Sequence, residues 1–298
     1  MQYIYSDTFT QTITSAYGAK GVQWLTDLPT IIEQCVEQWS LTNLNPYETL
    51  TYNYVLSGMM HNVPIVLKLR CDPIALEKEV AALHAFENHG CIKIIAHNAL
   101  LGAVLLEQVM PGKSLSTLVD HQDELATRIA ADCIRKLHQA TIPTRFLFPT
   151  LEQTLPDFTL ETKELMPFIA QARTLRKQLL ASPQEKVFLH GDFHHGNILS
   201  SSNKTWSVID PEGIIGDPVY DLAVYIRNPL TKLLDAPDAQ TIIVNRIHQF
   251  ANLLGYNPQH IYDWTYLQTV SSTYWSIEDG LDISRHIAFL TLLRKIEI

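Results

Sequence analysis

The stretch His190-Gly191-Asp192-Phe193-His194-His195-Gly196-Asn197-Ile198-Leu199 sets an aspartate five residues ahead of an asparagine. Thirteen positions after Asn197, Asp210 closes the apolar run Trp206-Ser207-Val208-Ile209. Phosphoryl transfer from a nucleotide uses such a trio. One carboxylate orients the attacking hydroxyl and takes its proton, while an amide oxygen and a second carboxylate hold the magnesium that neutralises the phosphates. Asp192 is therefore expected as the catalytic base, and Asn197 and Asp210 as Mg2+ ligands. The bland alternative is a polar turn between two strands, where Gly, Asn and Asp are common. The order of the two motifs and the short strand pair joining them count against it. His194 and His195 have no third ligand at metal-site spacing and are read as loop residues.

His190-Gly191-Asp192 with Asn197 matches the His-Arg-Asp…Asn pattern of a kinase catalytic loop. The same chemistry calls for a lysine on an upstream strand, held by a helix glutamate, to grip the phosphates of the nucleotide, ATP or GTP. Lys68, inside Ile65-Val66-Leu67-Lys68-Leu69, fits that place. On the following helix Glu77 and Glu79 compete. At about 100° per residue, Glu79 lies nearer the Leu76–Leu83–Phe86 edge of the core face and Glu77 nearer solvent, so Glu79 is expected.

The elements that must position these groups can be read along the chain. Leu28, Ile31, Ile32, Cys35, Val36 and Trp39 recur at helical steps, so a helix is expected after Thr26-Asp27-Leu28-Pro29. Strands are expected over 49–56 and 63–69 around a turn near Gly58 to Asn62, then a helix over 74–88 stopped by Gly90. Two further strands, 92–96 and 101–109, end at Pro111-Gly112. Beyond them the pattern is helical (125–140, 161–180, 219–227, 238–254, 261–277, 284–295), broken by strands near 187–199 and 206–209. The reading is an α+β fold: a small β-rich N-lobe over 1–110 and a larger helical C-lobe over 111–298.

The 298 residues carry 22 Lys+Arg against 31 Asp+Glu, a formal charge of −9. That balance argues against a nucleic-acid or anionic-membrane partner and permits a cationic small-molecule substrate. Cys35, Cys71, Cys91 and Cys133 are scattered, without paired spacing, and are read as reduced, mostly buried thiols. No apolar run is long enough to span a bilayer, and Met1-Gln2-Tyr3-Ile4-Tyr5-Ser6-Asp7 lacks signal-peptide features, so the expected location is the cytoplasm.

These residues resemble the aminoglycoside phosphotransferases, closest to the streptomycin 6-kinase and hydroxyurea-type resistance kinase branch. The resemblance covers nearly the whole chain: Gly21-Val22-Gln23-Trp24-Leu25, Tyr52-Asn53-Tyr54-Val55, Val66-Leu67-Lys68-Leu69, Pro111-Gly112-Lys113-Ser114-Leu115, the 190–199 loop, Ile209-Asp210-Pro211, Gly216-Asp217-Pro218-Val219-Tyr220-Asp221 and Trp275-Ser276-Ile277-Glu278-Asp279-Gly280. It implies a protein-kinase-like bilobal fold and ATP- and Mg2+-dependent transfer to a small-molecule hydroxyl, most like streptomycin. It also implies that the backbone of Gln108 and Met110 bonds the nucleobase, that Lys68 and Glu79 serve the phosphates, and that Asp217 and Asp221 brace the catalytic loop. The chain departs from protein kinases in lacking a Gly-rich loop at Thr49-Leu50-Thr51-Tyr52-Asn53-Tyr54, where Thr51 or Asn53 could donate instead, and in replacing Asp-Phe-Gly by Asp210-Pro211-Glu212.

Between His248 and Ser284 there is no Lys or Arg, while Asp263, Glu278, Asp279 and Asp282 alternate with Trp264, Tyr266, Tyr274 and Trp275. Such a stretch can wall a pocket for a cation, and Glu278, Asp279 and Trp275 are the named substrate candidates. The competing reading is helix packing with solvated charges. Two rival functions remain: a kinase for another hydroxylated metabolite, and a non-catalytic nucleotide-binding module. The intact set Lys68, Asp192, Asn197 and Asp210 weighs against the second.

Overall fold

The computed structural model describes residues 5–48, 50–160, 162–202 and 205–298. The expected strand start at Thr49, the helix start at Glu161 and the reading of Met1 to Ile4 lie outside them. The chain divides into two compact units: residues up to His84 together with Ile92–Val109, and Ala85–Cys91 together with Met110–Ile298.

The first unit is a five-stranded antiparallel sheet covered on one face by a long helix. Helix α1 (Asp7–Trp39) is kinked at Gly18, whose φ of 55° and ψ of −134° leave the helical region. It begins well before the expected start and runs through Pro29. An interior proline costs about 3 kcal/mol. Trp24, Leu28, Ile32 and Cys35, on either side of it, are anchored in the core, and their burial outweighs that cost. The strands are β1 (Leu41–Pro46), β2 (Asn53–Met60), β3 (Val63–Arg70), β4 (Ile94–Asn98) and β5 (Ala103–Glu107), in the order β1-β2-β3-β5-β4.

Strand β1 has no counterpart in the sequence reading. Its Asn-rich run ends in proline, carries a register shift and has Asn43 at φ 55°, all marks of an irregular edge strand rather than of an alternating pattern. Strands β2 and β3 meet through His61 and Asn62, both at positive φ, a two-residue hairpin turn tighter than expected. Ile65, Leu67 and Leu69 of β3 point into the core shared with α1, so Lys68 lies on the opposite face. Helix α2 (Pro73–Ala85) follows β3.

Residues 85–91 belong with the second unit because Phe86 stacks on Phe188 at 4.8 Å, and the Val208 N–H donates to the Gly90 carbonyl at 2.9 Å. Pro111-Gly112 does not end the strand pattern as expected. It opens a short strand, β6 (Pro111–Ser114), with Gly112 at positive φ. The elements that follow are α3 (Asp123–Leu137), α4 (Leu151–Thr154), α5 (Met166–Leu180), β7 (Val187–Leu189), β8 (Ile198–Ser201), β9 (Trp206–Val208), β10 (Ile214–Gly216), α6 (Val219–Arg227), α7 (Leu230–Asp235), α8 (Ala239–Leu254), α9 (Pro258–Glu278) and α10 (Ser284–Leu293). Helix α5 starts at Met166, with Pro167 in its first turn, where the missing N–H costs nothing.

Strands β6, β8 and β9 form one small sheet, and β7 pairs with β10. Helix α9 is the centre of this unit, packed by α5, α6, α8 and α10. Among the described residues no helix is long and apolar enough to cross a membrane. None of the four cysteines forms a disulfide and all are buried, and burial pushes the Cys35 and Cys133 thiols up to about 12.

Candidate active site

In the first unit, the Lys68 ammonium donates to Glu79 Oε1 at 2.7 Å, with both side chains 5% exposed or less. Glu77 is exposed, so the glutamate that meets the strand lysine is Glu79. Arg70, two residues on along the same face of β3, takes the other oxygen, Glu79 Oε2, at 2.7 Å. The sequence reading missed Arg70 although strand alternation alone places it beside Lys68. The Gln108 N–H donates to the Pro64 carbonyl and its side chain to the Tyr47 hydroxyl, both at 3.3 Å. Met110 is exposed at the start of the second unit. Thr51 is exposed, and Asn53 opens β2 with its Oδ1 buried and unpartnered.

In the second unit, the loop joining β7 to β8 carries His190 to Asn197. Asn197, 8% exposed, uses its amide nitrogen twice on Asp192: on the carbonyl at 3.0 Å and on Oδ2 at 3.3 Å. Its own Oδ1 is thereby turned away from Asp192. His194 accepts the Gly196 N–H on Nδ1 at 2.9 Å, so its Nε2 carries the proton and stands 3.4 Å from the same Asp192 Oδ2. Asp192 Oδ2 is held and Oδ1 is left for another group. Burial pushes the Asp192 carboxyl up. The hydrogen bond from His194, the N–H dipoles of His194 and His190 and the charge of Arg227 outweigh that, and the net position is below the ordinary carboxylate value.

His190 joins the two halves of this site. Its Nδ1 accepts the Asp192 N–H at 3.2 Å and its Nε2 donates to the Ile209 carbonyl at 2.9 Å, one residue before Asp210. The His190 carbonyl accepts from Glu212 N at 2.8 Å and Gly213 N at 3.2 Å. Asp210 sits within this turn at φ 58°, a left-handed backbone that a non-glycine residue adopts at a cost and that often marks a functional position.

Asp221, fully buried on α6, accepts His190 N at 2.9 Å and Gly191 N at 2.8 Å, and His138 Nε2 at 3.0 Å. It braces the loop directly. Asp217 does not: its Oδ1 accepts Val219 N at the start of α6, and its Oδ2 meets His260 Nε2 at 2.7 Å on α9.

A magnesium site fits the donor set. Asn197 Oδ1 is a neutral oxygen freed by the amide's bonds to Asp192, and Asp210 supplies a carboxylate from the adjoining turn. Mg2+ needs only one or two protein oxygens besides phosphate and water. Among the described residues no cluster of three or more His, Cys, Asp or Glu could hold a metal unaided. His195 is buried and stacked on Tyr225 at 3.9 Å.

The base-free stretch resolves differently from its pattern. Trp264, Tyr266 and Tyr274 are core residues, 5% exposed or less, and Tyr274 bonds Thr159. Asp263 is bonded by Gln259, and Asp282 accepts from Ser284 at the head of α10. Glu278 and Asp279 are exposed at the end of α9, and Trp275 is half-buried. Sequence reasoning also missed Arg227, at the end of α6, whose charge reaches Asp192. Its Nε donates to Gln268 at 3.0 Å on α9 and its Nη1 to His286 Nε2 at 3.3 Å on α10. Nothing in the sequence spacing announces this cluster, because three separate helices build it.

A sheet unit with a glutamate-held strand lysine, and a helical unit with a coupled Asp–Asn pair and a second Asp, define a small-molecule phosphotransferase of protein-kinase-like fold. Solved structures share that fold. A choline/ethanolamine kinase family protein from Mesorhizobium loti aligns with a TM-score of 0.68 at 13% identity, covering 89% of this chain and 95% of its own. The aminoglycoside phosphotransferase APH(4)-Ia, in a ternary complex with AMP-PNP and hygromycin B, aligns with a TM-score of 0.65 at 14% identity, covering 90% and 98%.

The chain belongs to the aminoglycoside/hydroxyurea antibiotic resistance kinase family, whose model matches residues 43–280. It is 24% identical to a streptomycin 6-kinase of Streptomyces glaucescens over 89% of this chain and 88% of that one. It is 29% identical to a streptomycin 3''-kinase of Klebsiella pneumoniae over 82% and 92%, and 26% identical to a hydroxyurea phosphotransferase of Kitasatospora aureofaciens over 88% and 77%.

Proposed function

We propose that this enzyme moves the γ-phosphoryl group of ATP, with Mg2+, onto a hydroxyl of an aminoglycoside such as streptomycin. The observation that carries the reading is the coupling of Asn197 to Asp192, which holds Asp192 Oδ2 and leaves Oδ1 to meet the acceptor. Asp192 Oδ1 orients the hydroxyl and takes its proton as the new O–P bond forms. Lys68, fixed by Glu79, binds the nucleotide phosphates, and the Gln108–Met110 backbone takes the nucleobase. Asn197 Oδ1 and the Asp210 carboxylate would hold the magnesium, which when bound neutralises phosphate charge. Glu278, Asp279 and Trp275 remain the candidates for a cationic part of the acceptor. Glu278 lies ten residues beyond Gln268 on α9, roughly 15 Å along the helix, a span suited to an acceptor of several rings.

A second reading has its own support. The charge of Arg227, held by Gln268 and His286, is felt at Asp192, which disfavours a cation next to the reacting hydroxyl and favours a compact neutral acceptor of the hydroxyurea type. ADP release measured with streptomycin, hydroxyurea, choline and simple sugars separates the two. Turnover with streptomycin and none with hydroxyurea supports the first; the reverse overturns it.

A further inference from the structure

Lys68 and Arg70 share one face of β3, and one carboxylate serves both. Lys68 Nζ sits on Glu79 Oε1 and Arg70 Nη1 on Oε2, each at 2.7 Å. Glu79 is 3% exposed and the Arg70 side chain 17%. A carboxylate held by one oxygen can swing about its last torsion, whereas one held by both cannot. Drawing two like charges together inside a protein is costly, and an anion arriving on that face relieves the cost. A second feature points the same way. Asn53 is the cross-strand partner of Arg70, and its Oδ1 is buried with no hydrogen-bond partner. Turned about, that amide offers N–H groups to an anion.

We propose that Arg70 is a positioning residue for the nucleotide's phosphates: it locks Glu79 by its second oxygen and adds a second positive charge on the Lys68 face of β3. Affinity for the polyphosphate tail then depends on Arg70 and affinity for the nucleoside does not. This rests on the nucleotide-binding reading above.

The test is calorimetric binding of ATP and of adenosine to the full chain, wild type, Arg70→Met and Arg70→Lys, across a range of salt. Arg70→Met should weaken ATP about tenfold, the effect of one unit charge several ångströms away, and flatten its salt dependence. Adenosine should stay within about twofold, and Arg70→Lys should recover most of the ATP affinity. Parallel weakening of ATP and adenosine, or unchanged ATP binding, overturns the proposal and leaves the nucleotide reading intact. A wild type that binds neither ATP nor GTP removes both. Should Arg70→Met fail to fold, Arg70→Gln, which keeps a hydrogen bond to Glu79 without the charge, is read by the same criteria.

Discussion

Asp221 accepts the backbone N–H of Gly191 at 2.8 Å, one residue before the proposed catalytic base. With its second oxygen on His190 N, the carboxylate hangs the loop from the first turns of α6. Gly191, at φ 87°, is the residue that lets the chain turn there.

Removing that carboxylate should therefore hurt stability and activity together. Asp221→Ala leaves one buried and one part-buried N–H group unpaired and should cost about 3 kcal/mol, with a clear fall in turnover. Asp221→Asn, which keeps two polar atoms of the same shape, should cost less. Urea unfolding and turnover of the two variants check this. Equal effects from both would mean that the charge and the second acceptor oxygen, not the shape, hold the loop.

Asp192→Asn should separate chemistry from binding. Loss of a general base lowers turnover by about 10²–10⁴-fold, while ATP affinity should hold within a few-fold because Lys68 and Glu79 are untouched. Near-normal turnover in this variant would remove Asp192 from the base role.

How much of this was legible in the sequence follows from how each contact is made. Lys68, Glu79, Asp192, Asn197 and Asp210 stand at spacings that local geometry sets: strand alternation, helix phase and one tight loop. The Lys68–Glu79 pair within one unit and the Asp192–Asn197 pair within the other could each be read before any fold was known. Helix α6 and the body of α3, α8 and α9 were likewise visible from their apolar spacing. Strands β1, β6 and β10 were not, because short pairings around Pro and Gly take their stability from partners far away in sequence. The same reason hid Arg227 and His286. Three aromatic residues of the base-free stretch looked like a pocket wall and are core, since a central helix such as α9 is buried on every side over residues 264–271, its Thr, Gln and Ser included, and composition does not reveal which face is wet.

His194 bears on the acid side of the pH–rate profile. The hydrogen bond from its Nε2–H helps hold the Asp192 carboxyl below its ordinary value against the opposing effect of burial. Without His194 that carboxyl moves up and takes a proton at higher pH. His194→Ala should shift the acid limb of kcat/KM towards neutral pH and leave the rate at pH 8 less affected. An unmoved acid limb would detach His194 from the base.

Gly213 closes the Asp210 turn at φ 67°, and a Cβ there would lie 2.5 Å from the Phe148 ring and 3.1 Å from that of Phe188. Both rings are buried and meet at 4.7 Å, so neither can step aside freely. Gly213→Ala should destabilise by about 1–3 kcal/mol, read as a lower urea midpoint. A neutral result would show that the turn can relax without moving the two phenylalanines.

His286 offers a signature in stability. Burial first, and the Arg227 guanidinium second, push its imidazole down to about 4 from an ordinary 6.5. Asp282 pulls the other way and is outweighed. The folded protein therefore keeps this ring neutral, with Nε2 accepting from Arg227 and Ser272. Below pH 6.5 the unfolded chain takes up a proton that the folded chain refuses until about pH 4. Stability from this group is complete above the first value, falls as the pH drops through that window, and is gone below the second. His286→Gln keeps an acceptor for Arg227 and removes the titration. Its urea midpoint should fall less between pH 7 and pH 5 than that of the wild type, with His195 and the other groups contributing alike in both. The same pH dependence in the two proteins would show that the neutral ring of His286 is not what links Arg227 to α10.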